Sequence, residues 1–304
     1  MSVIKLKDKT PLSSKIEALN ELIPNIKRYY GETVVIYYDG EALYNKELAI
    51  KFAEDVVLMK QLGINVIVVH GGEKTVEEIY KKYNIRSQYI DGVRVMDESA
   101  IEITEMVLSG LVNKRIVTYI NNAGGIAIGI SGKDANLIEA KKYRSSKSNP
   151  NSNIESLVDF GFTGEPTLVN PDVLFAFEDT DFIPVVSPLA VGENRETFHI
   201  NPLTAASILV SSLAVRKFVI MTDYKGVPDA KNTISRVMSY KDLNTSYRNG
   251  SHSKDMTALI SSCMCTLENK IETIHVVDGT IPHSLLLNIF TDEECGTLIR
   301  NNLY

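Results

Sequence analysis

The sequence predicts an α/β fold, a doubly wound and largely parallel sheet with helices on both faces. Three observations point there. Short apolar runs suited to buried strands alternate with longer stretches at helical spacing. Two of those runs, "VVIYYDG" and "VIVVHGG", pass directly into glycine turns at Gly40 and at Gly71-Gly72. The 304 residues, 44% of them hydrophobic, supply a core for one large α/β domain or for two lobes.

The elements follow in order. Residues 12–30 set Ile16, Leu19, Leu22, Ile23 and Ile26 on one face at helical spacing, with Ser13 or Ser14 as N-cap and Pro24 as a kink. This helix precedes the first strand, so its apolar face packs either on its own domain or on another subunit. A strand over 33–38 leads to a helix over 45–62 that stops at Gly63. A strand over 64–69 leads to a helix over 74–83. Residues 101–125 read as a long helix ending in glycines, and 126–130 as a strand. The polar, turn-rich stretch 143–156 reads as a surface hairpin or loop. A proline-punctuated buried strand spans 182–191, then a helix 203–215, a strand 217–223, a helix 253–269 and a strand 274–279, with 283–290 closing the pattern. In such sheets ligands sit at the carboxyl ends of the strands. Those ends carry Tyr37–Gly40, His70–Gly72, Gly129–Asp134 and Thr222–Gly226.

Composition excludes several classes. A net charge of -6 argues against a nucleic-acid partner, which favours a basic face. No apolar window is long enough for a membrane span. The N-terminus, "MSVIKLKDKT", has neither the apolar core of a secretory signal nor the arginines of a transit peptide. The reading is therefore a cytoplasmic protein, or a stromal one if encoded in a plastid. Three cysteines do not make a disulfide framework, and Cys263 and Cys265, one residue apart in a helix-like run, read as packing rather than as metal ligands. No metal site is expected.

The glycine turns suit anions. Gly71 and Gly72 precede a helix N-terminus, where backbone N–H groups and the helix dipole favour negative charge. "ISGKDA" adds a turn with Lys133, and "MTDYKGVPD" a third. Several such turns suggest a nucleotide and an acidic co-substrate. The first turn, however, holds Tyr37 and Asp39 and no lysine.

The stretches "LIPNIKRYYGETVVIYYDGEAL", "VIVVHGG", "DGVRVMDESAIEITEMVLSGLVNK", "GISGKDANLIEAKK", "DFIPVVSPLAVG", "INPLTAA", "MTDYKGV" and "HVVDGTIPHSLLLNIFTDEECGTLI" cover roughly residues 12–300 in order. With them the chain resembles the acetylglutamate kinases of the amino-acid-kinase family. The resemblance implies an open, mostly parallel eight-stranded sheet between helices, in two lobes, with a kinked N-terminal helix. It divides the chain into an oligomerisation helix (1–31), a lobe for the acyl amino acid and for dimerisation (32–195), and a nucleotide-binding-like, arginine-site-like lobe (196–304). The family's reaction is phosphorylation of the side-chain carboxylate of N-acetylglutamate by MgATP, in arginine synthesis.

Carried over residue by residue, the substrate positions fall on Gly71, Gly72, Arg94 and Asn201, with Arg94 expected to clasp a carboxylate; a further asparagine falls on His199. Nucleotide contacts fall on Lys133, Thr222, Asp223 and Gly226. The arginine-effector site falls on His275, Gly296 and Glu294, but its guanidinium-pairing glutamate falls on Asn288. The catalytic positions are not intact. The two lysines fall on Tyr37 and Leu259, the aspartate between them falls on Leu203, and glycines fall on Asp39 and Glu73. Phosphoryl transfer needs positive charge where negative charge develops, and a tyrosine near neutral pH supplies none. The expected function is a pseudokinase acting as a regulatory or structural subunit, with no cofactor assigned. The alternative is an active enzyme, using MgATP, in which Lys74, Lys133, Lys225 or Lys254 reaches the phosphates. Expected partners are a second copy in a dimer or hexamer, an active acetylglutamate kinase, or the PII signal protein.

Overall fold

The computed structural model describes residues 11–148, 155–178, 180–213, 215, 217–269, 271–291 and 295–301. Eight strands form its central sheet, numbered here in chain order: β1 Thr33–Tyr38, β2 Asn65–His70, β3 Ile126–Ser131, β4 Phe182–Ser187, β5 Lys217–Thr222, β6 Val237–Ser239, β7 Thr273–Asp278 and β8 Gly296–Arg300. Their spatial order is β6-β8-β7-β5-β1-β2-β4-β3. All neighbours are parallel except β7 and β8.

The period of two along β1 explains the layering. Val34, Ile36 and Tyr38 enter one core, while Val35 and Tyr37 enter the other. Both cores are mainly aliphatic with a few aromatic rings, and β1 and β2 are buried almost throughout, as a parallel strand covered on both faces must be.

The principal helices are α1 Pro11–Tyr29, α2 Lys46–Gln61, α3 Glu73–Lys82, α4 (Glu98–Glu105, Met106–Val112 and Asn113–Asn122 in succession, the middle segment wound to the wider π form), α5 Pro202–Leu213, α6 Tyr240–Asn249, α7 Lys254–Glu268 and α8 Ser284–Phe290. Of the polar stretch 143–156, residues 149–154 lie outside the described residues, and residues 143–148 and 155–156 lie on the arms of a hairpin. Its arms, Ile138–Ser148 and Glu155–Val169, pair antiparallel, and with Leu189–Val191 and Thr197–His199 they close a small barrel.

One expectation for α1 changes. The helix already runs at Pro11, so Ser13 and Ser14 stand inside it rather than at its cap. Pro24 lies within the helix, which runs on to Tyr29. Its apolar face is divided: Leu22, Ile26 and Tyr29 pack on the core, whereas Ile16 and Ile23 are exposed. Among the described residues no helix is long and apolar enough to cross a membrane.

Candidate functional site

The carboxyl ends of β5, β1 and β2 open into a cleft of about 530 Å³. Tyr37, Leu203 and Leu259 all line it, together with Asn201, Thr222 and Asp223. The sequence-derived positions therefore do converge. Four lining side chains are carboxylates, Asp39, Glu73, Asp223 and Asp255, and among the described residues that line the cleft none is a lysine or arginine.

Each carboxylate has a local cause. Tyr37 ends the buried run of β1, and its hydroxyl donates to Asp39 Oδ2 at 2.8 Å. Burial, then the negative charge of Asp39, holds the Tyr37 phenol well above its usual range. Burial also raises Asp39, partly offset by the bond from Tyr37. The Asp39 carboxyl lies flat against Gly71, so closely that any side chain at Gly71 would collide with it. Gly72 has φ 145°, a backbone region that side chains avoid, and it caps α3. Asp223, after β5, accepts a bond from Glu41 N at 2.5 Å across the cleft floor. Asp255 sits in the first turn of α7, where the dipole favours an acid.

Glu73 is the centre of a half-buried charge network. One oxygen, Oε2, lies 2.5 Å from Arg94 Nη2; the other, Oε1, lies 3.1 Å from His199 Nε2. Arg94 Nη1 also meets Glu77 Oε1 at 2.8 Å. The guanidinium is sandwiched between the rings of Tyr80 and Tyr89, 5.2 and 5.1 Å from their centroids. Burial opposes ionisation of Glu73, but His199 and Arg94 outweigh it and hold the carboxyl down at about 2. The guanidinium that the resemblance assigns to a substrate carboxylate thus holds two carboxylates of its own chain. Asn201 Oδ1 accepts from Thr204 N at 3.1 Å, at the start of α5.

The lysines lie elsewhere. Lys133 Nζ is bound to Glu105 Oε1 at 2.5 Å and to Thr197 Oγ1 at 2.6 Å. Lys74 is exposed, 3.4 Å from Glu41 and over the Tyr44 ring. Lys225 and Lys254 are exposed, and none of the four lines the cleft. Gly226 is buried against Thr297, away from the lining. A lining without cations does not fit a nucleotide polyphosphate: like charges about 4 Å apart repel by about 4 kcal/mol at an effective dielectric near 20. Among the described residues no group of three or more potential metal ligands exists either.

A second basin of about 440 Å³ opens between α1, the amino end of β5, β7 and β8. His275 lines it, Gly296 does not, and Glu294 lies outside the described residues. Sequence reasoning missed its main groups, Lys217, Arg28 and Arg300, as it missed Glu77. Lys217 carried a signal, since it is a charge at the head of a wholly buried strand whose next four residues, Phe218 to Met221, are apolar.

A family model described as "Amino acid kinase family" matches residues 32–278. The acetylglutamate kinase of Rhodospirillum rubrum is 43% identical over 286 residues, 94% of this chain and 92% of that protein. The acetylglutamate kinase of Ehrlichia ruminantium is 44% identical over 287 residues, 94% of this chain and 89% of that protein. Among solved structures, the N-acetylglutamate synthase of Neisseria gonorrhoeae, with coenzyme A and N-acetylglutamate, superposes with a TM-score of 0.81 at 22% identity, over 95% of this chain and 64% of that one. A carbamate kinase of Giardia lamblia gives 0.63 at 12% identity, over 90% and 99%. These two establish the fold alone, and with the matched model and the two kinases they lead to one conclusion: the chain belongs to the amino acid kinase family, on its acetylglutamate kinase branch.

Proposed function

We propose that this chain is an acetylglutamate kinase homologue of arginine synthesis that has lost phosphoryl transfer and serves as a regulatory or structural subunit. One observation carries the reading: among the described residues the cleft is lined by Asp39, Glu73, Asp223 and Asp255 and by no lysine or arginine. A transferring phosphoryl group needs the opposite field. The pairing of Arg94 with Glu73 and Glu77 supports the same reading, because it takes the guanidinium from any incoming carboxylate. The partner that fits a silent homologue is a catalytically intact acetylglutamate kinase in a shared oligomer, with the exposed Ile16 and Ile23 of α1 as one contact.

The test is direct. Purified chain is given N-acetylglutamate and MgATP, and acyl phosphate is trapped with hydroxylamine. The expected signal is background, at least about 10³-fold below a related acetylglutamate kinase assayed alongside, since one lost electrostatic donor alone costs about 10²–10³. Steady turnover abolished by Lys133→Ala or Lys254→Ala overturns the reading in favour of relocated lysines.

A further inference from the structure

α8 is seated by a carboxylate from another helix. Asp55 stands on α2 between Phe52 and Met59, on the face that those residues turn to the core, and is itself 1% exposed. Its Oδ1 lies 2.5 Å from Nδ1 of His283, the residue that opens α8. The same carboxylate accepts a bond from the backbone N–H of Leu286, in the first turn of α8. The His283 side chain caps nothing, and its backbone is left-handed at φ 59°, which is unfavourable for a residue with a side chain. Asp55 thus supplies both the missing cap of α8 and the bond that holds its entry in place.

α8 passes this constraint on. Leu285, Ile289 and Phe290 are buried in the same core as Phe52, Val56 and Met59 of α2. At its far end, Asn25 Nδ2 of α1 donates to Phe290 O at 3.0 Å. α2, α8 and α1 are therefore joined in series, and the contact of Asp55 with His283 is the first joint.

The charge on that joint depends on one proton. As a carboxylate with an imidazolium, or a carboxylic acid with an imidazole, the pair is neutral overall. Without that proton a net negative charge is left at the edge of the core, and burial penalises it. Burial, opposed by the bond and the charge of His283, keeps the Asp55 carboxyl up at about 6. The other charges facing the pair are Lys51 and Glu54 on α2, bonded to each other at 2.9 Å, with Glu54 Oε2 3.9 Å from His283 Nε2. β5 presents Met221 there, and the loop before α8 presents Ile281 and Pro282. Asp278, at the end of β7, is turned to Thr280 Oγ1 at 2.6 Å.

We propose that Asp55 and His283 form a proton-held clip, in which the neutral pair seats α8, and through it α1, and loss of the proton loosens both. The clip does not rest on whether the cleft transfers phosphoryl groups.

Hydrogen exchange of the full chain, read by mass spectrometry between pH 4.5 and 6.5 and corrected for the intrinsic rate, tests this. A carboxyl raised by the fold stabilises the seated form at low pH and ceases to do so as pH rises through its folded value. Protection of α8, and of residues 22–29 of α1, falls at least tenfold across that window, whereas α7, in the opposite core, shows no fall. Asp55→Asn still accepts from Nδ1 but carries no titrating proton, so its α8 protection is level with pH. His283→Asn tolerates the left-handed backbone and removes the group that opposes burial, so the fall moves to higher pH. Circular dichroism confirms that each variant is folded, and the displaced profile of His283→Asn decides should Asp55→Asn misfold. Level α8 protection in the unaltered chain, an equal fall in Asp55→Asn, or a profile that His283→Asn leaves in place overturns the proposal.

Discussion

Glu73 Oε2 lies 2.5 Å from Arg94 Nη2, so the first residue of α3, which lines the cleft, closes over a buried guanidinium. Replacing Glu73 by Gly should free the Nη2 edge of Arg94 while Nη1 stays on Glu77. We expect affinity for N-acetylglutamate to rise at least tenfold by calorimetry, at a stability cost of about 1 kcal/mol in urea unfolding, small because Glu73 is half exposed. No gain in affinity would mean that Glu73 does not compete with ligand.

The contact between Asp39 and Gly71 predicts a coupled pair. Gly71→Ala alone should destabilise by about 2 kcal/mol, since the new methyl group drives into the Asp39 carboxyl. In an Asp39→Ala background the same change should cost less than half as much. A double-mutant cycle in urea reads the difference, and strict additivity would refute the contact.

His70 predicts an acid-labile core. Its Nδ1 donates to Gly71 O at 2.6 Å and its Nε2 accepts from Asn113 Nδ2 at 3.3 Å, so the ring is held neutral. Burial drives its pKa down to about 4 from the usual 6.5. Between those values the unfolded chain binds a proton that the folded chain does not. Stability should therefore fall as pH drops from 6.5 to 4, by up to about 3 kcal/mol. His70→Asn should flatten that slope in urea unfolding measured across the window.

Lys217 predicts the opposite end of the pH scale. The unfolded chain keeps this proton up to about 10.5, whereas burial releases it near 7 in the fold. Stability should rise from pH 7 to 9 by about 2–3 kcal/mol relative to Lys217→Met. Facing groups are Arg28, Arg300, His275, Tyr29 and Glu272, so the variant is the proper reference. An unchanged slope in Lys217→Met would assign the effect to another group.

The layered fold was legible because its signals are local. The run of β1 into Gly40, the cap-to-glycine span around α2 and the polar tip of the hairpin each lie within one segment. The convergence of Tyr37, Leu203 and Leu259 on the cleft was legible only through the resemblance. What Arg94 binds was not legible, because it depends on how two elements dock, α3 with Glu73 and Glu77 and the following hairpin with Tyr89 opposite Arg94. The basic basin depends on strand register between β5, β7 and β8, which no local pattern encodes. The start of α1 was misjudged because serines tolerate a helix interior when packing holds it.

Asn25 Nδ2 on α1 donates to Phe290 O on α8 at 3.0 Å, joining positions 265 residues apart. At translation speeds of about 5–20 residues per second, roughly 13 to 50 seconds pass between the synthesis of these two groups. Throughout that interval the α8 side of the α1 seat is missing. A helix made before the whole sheet thus completes its docking only after α8 is made, and until then that part of its face is open to a chaperone or to a neighbouring copy.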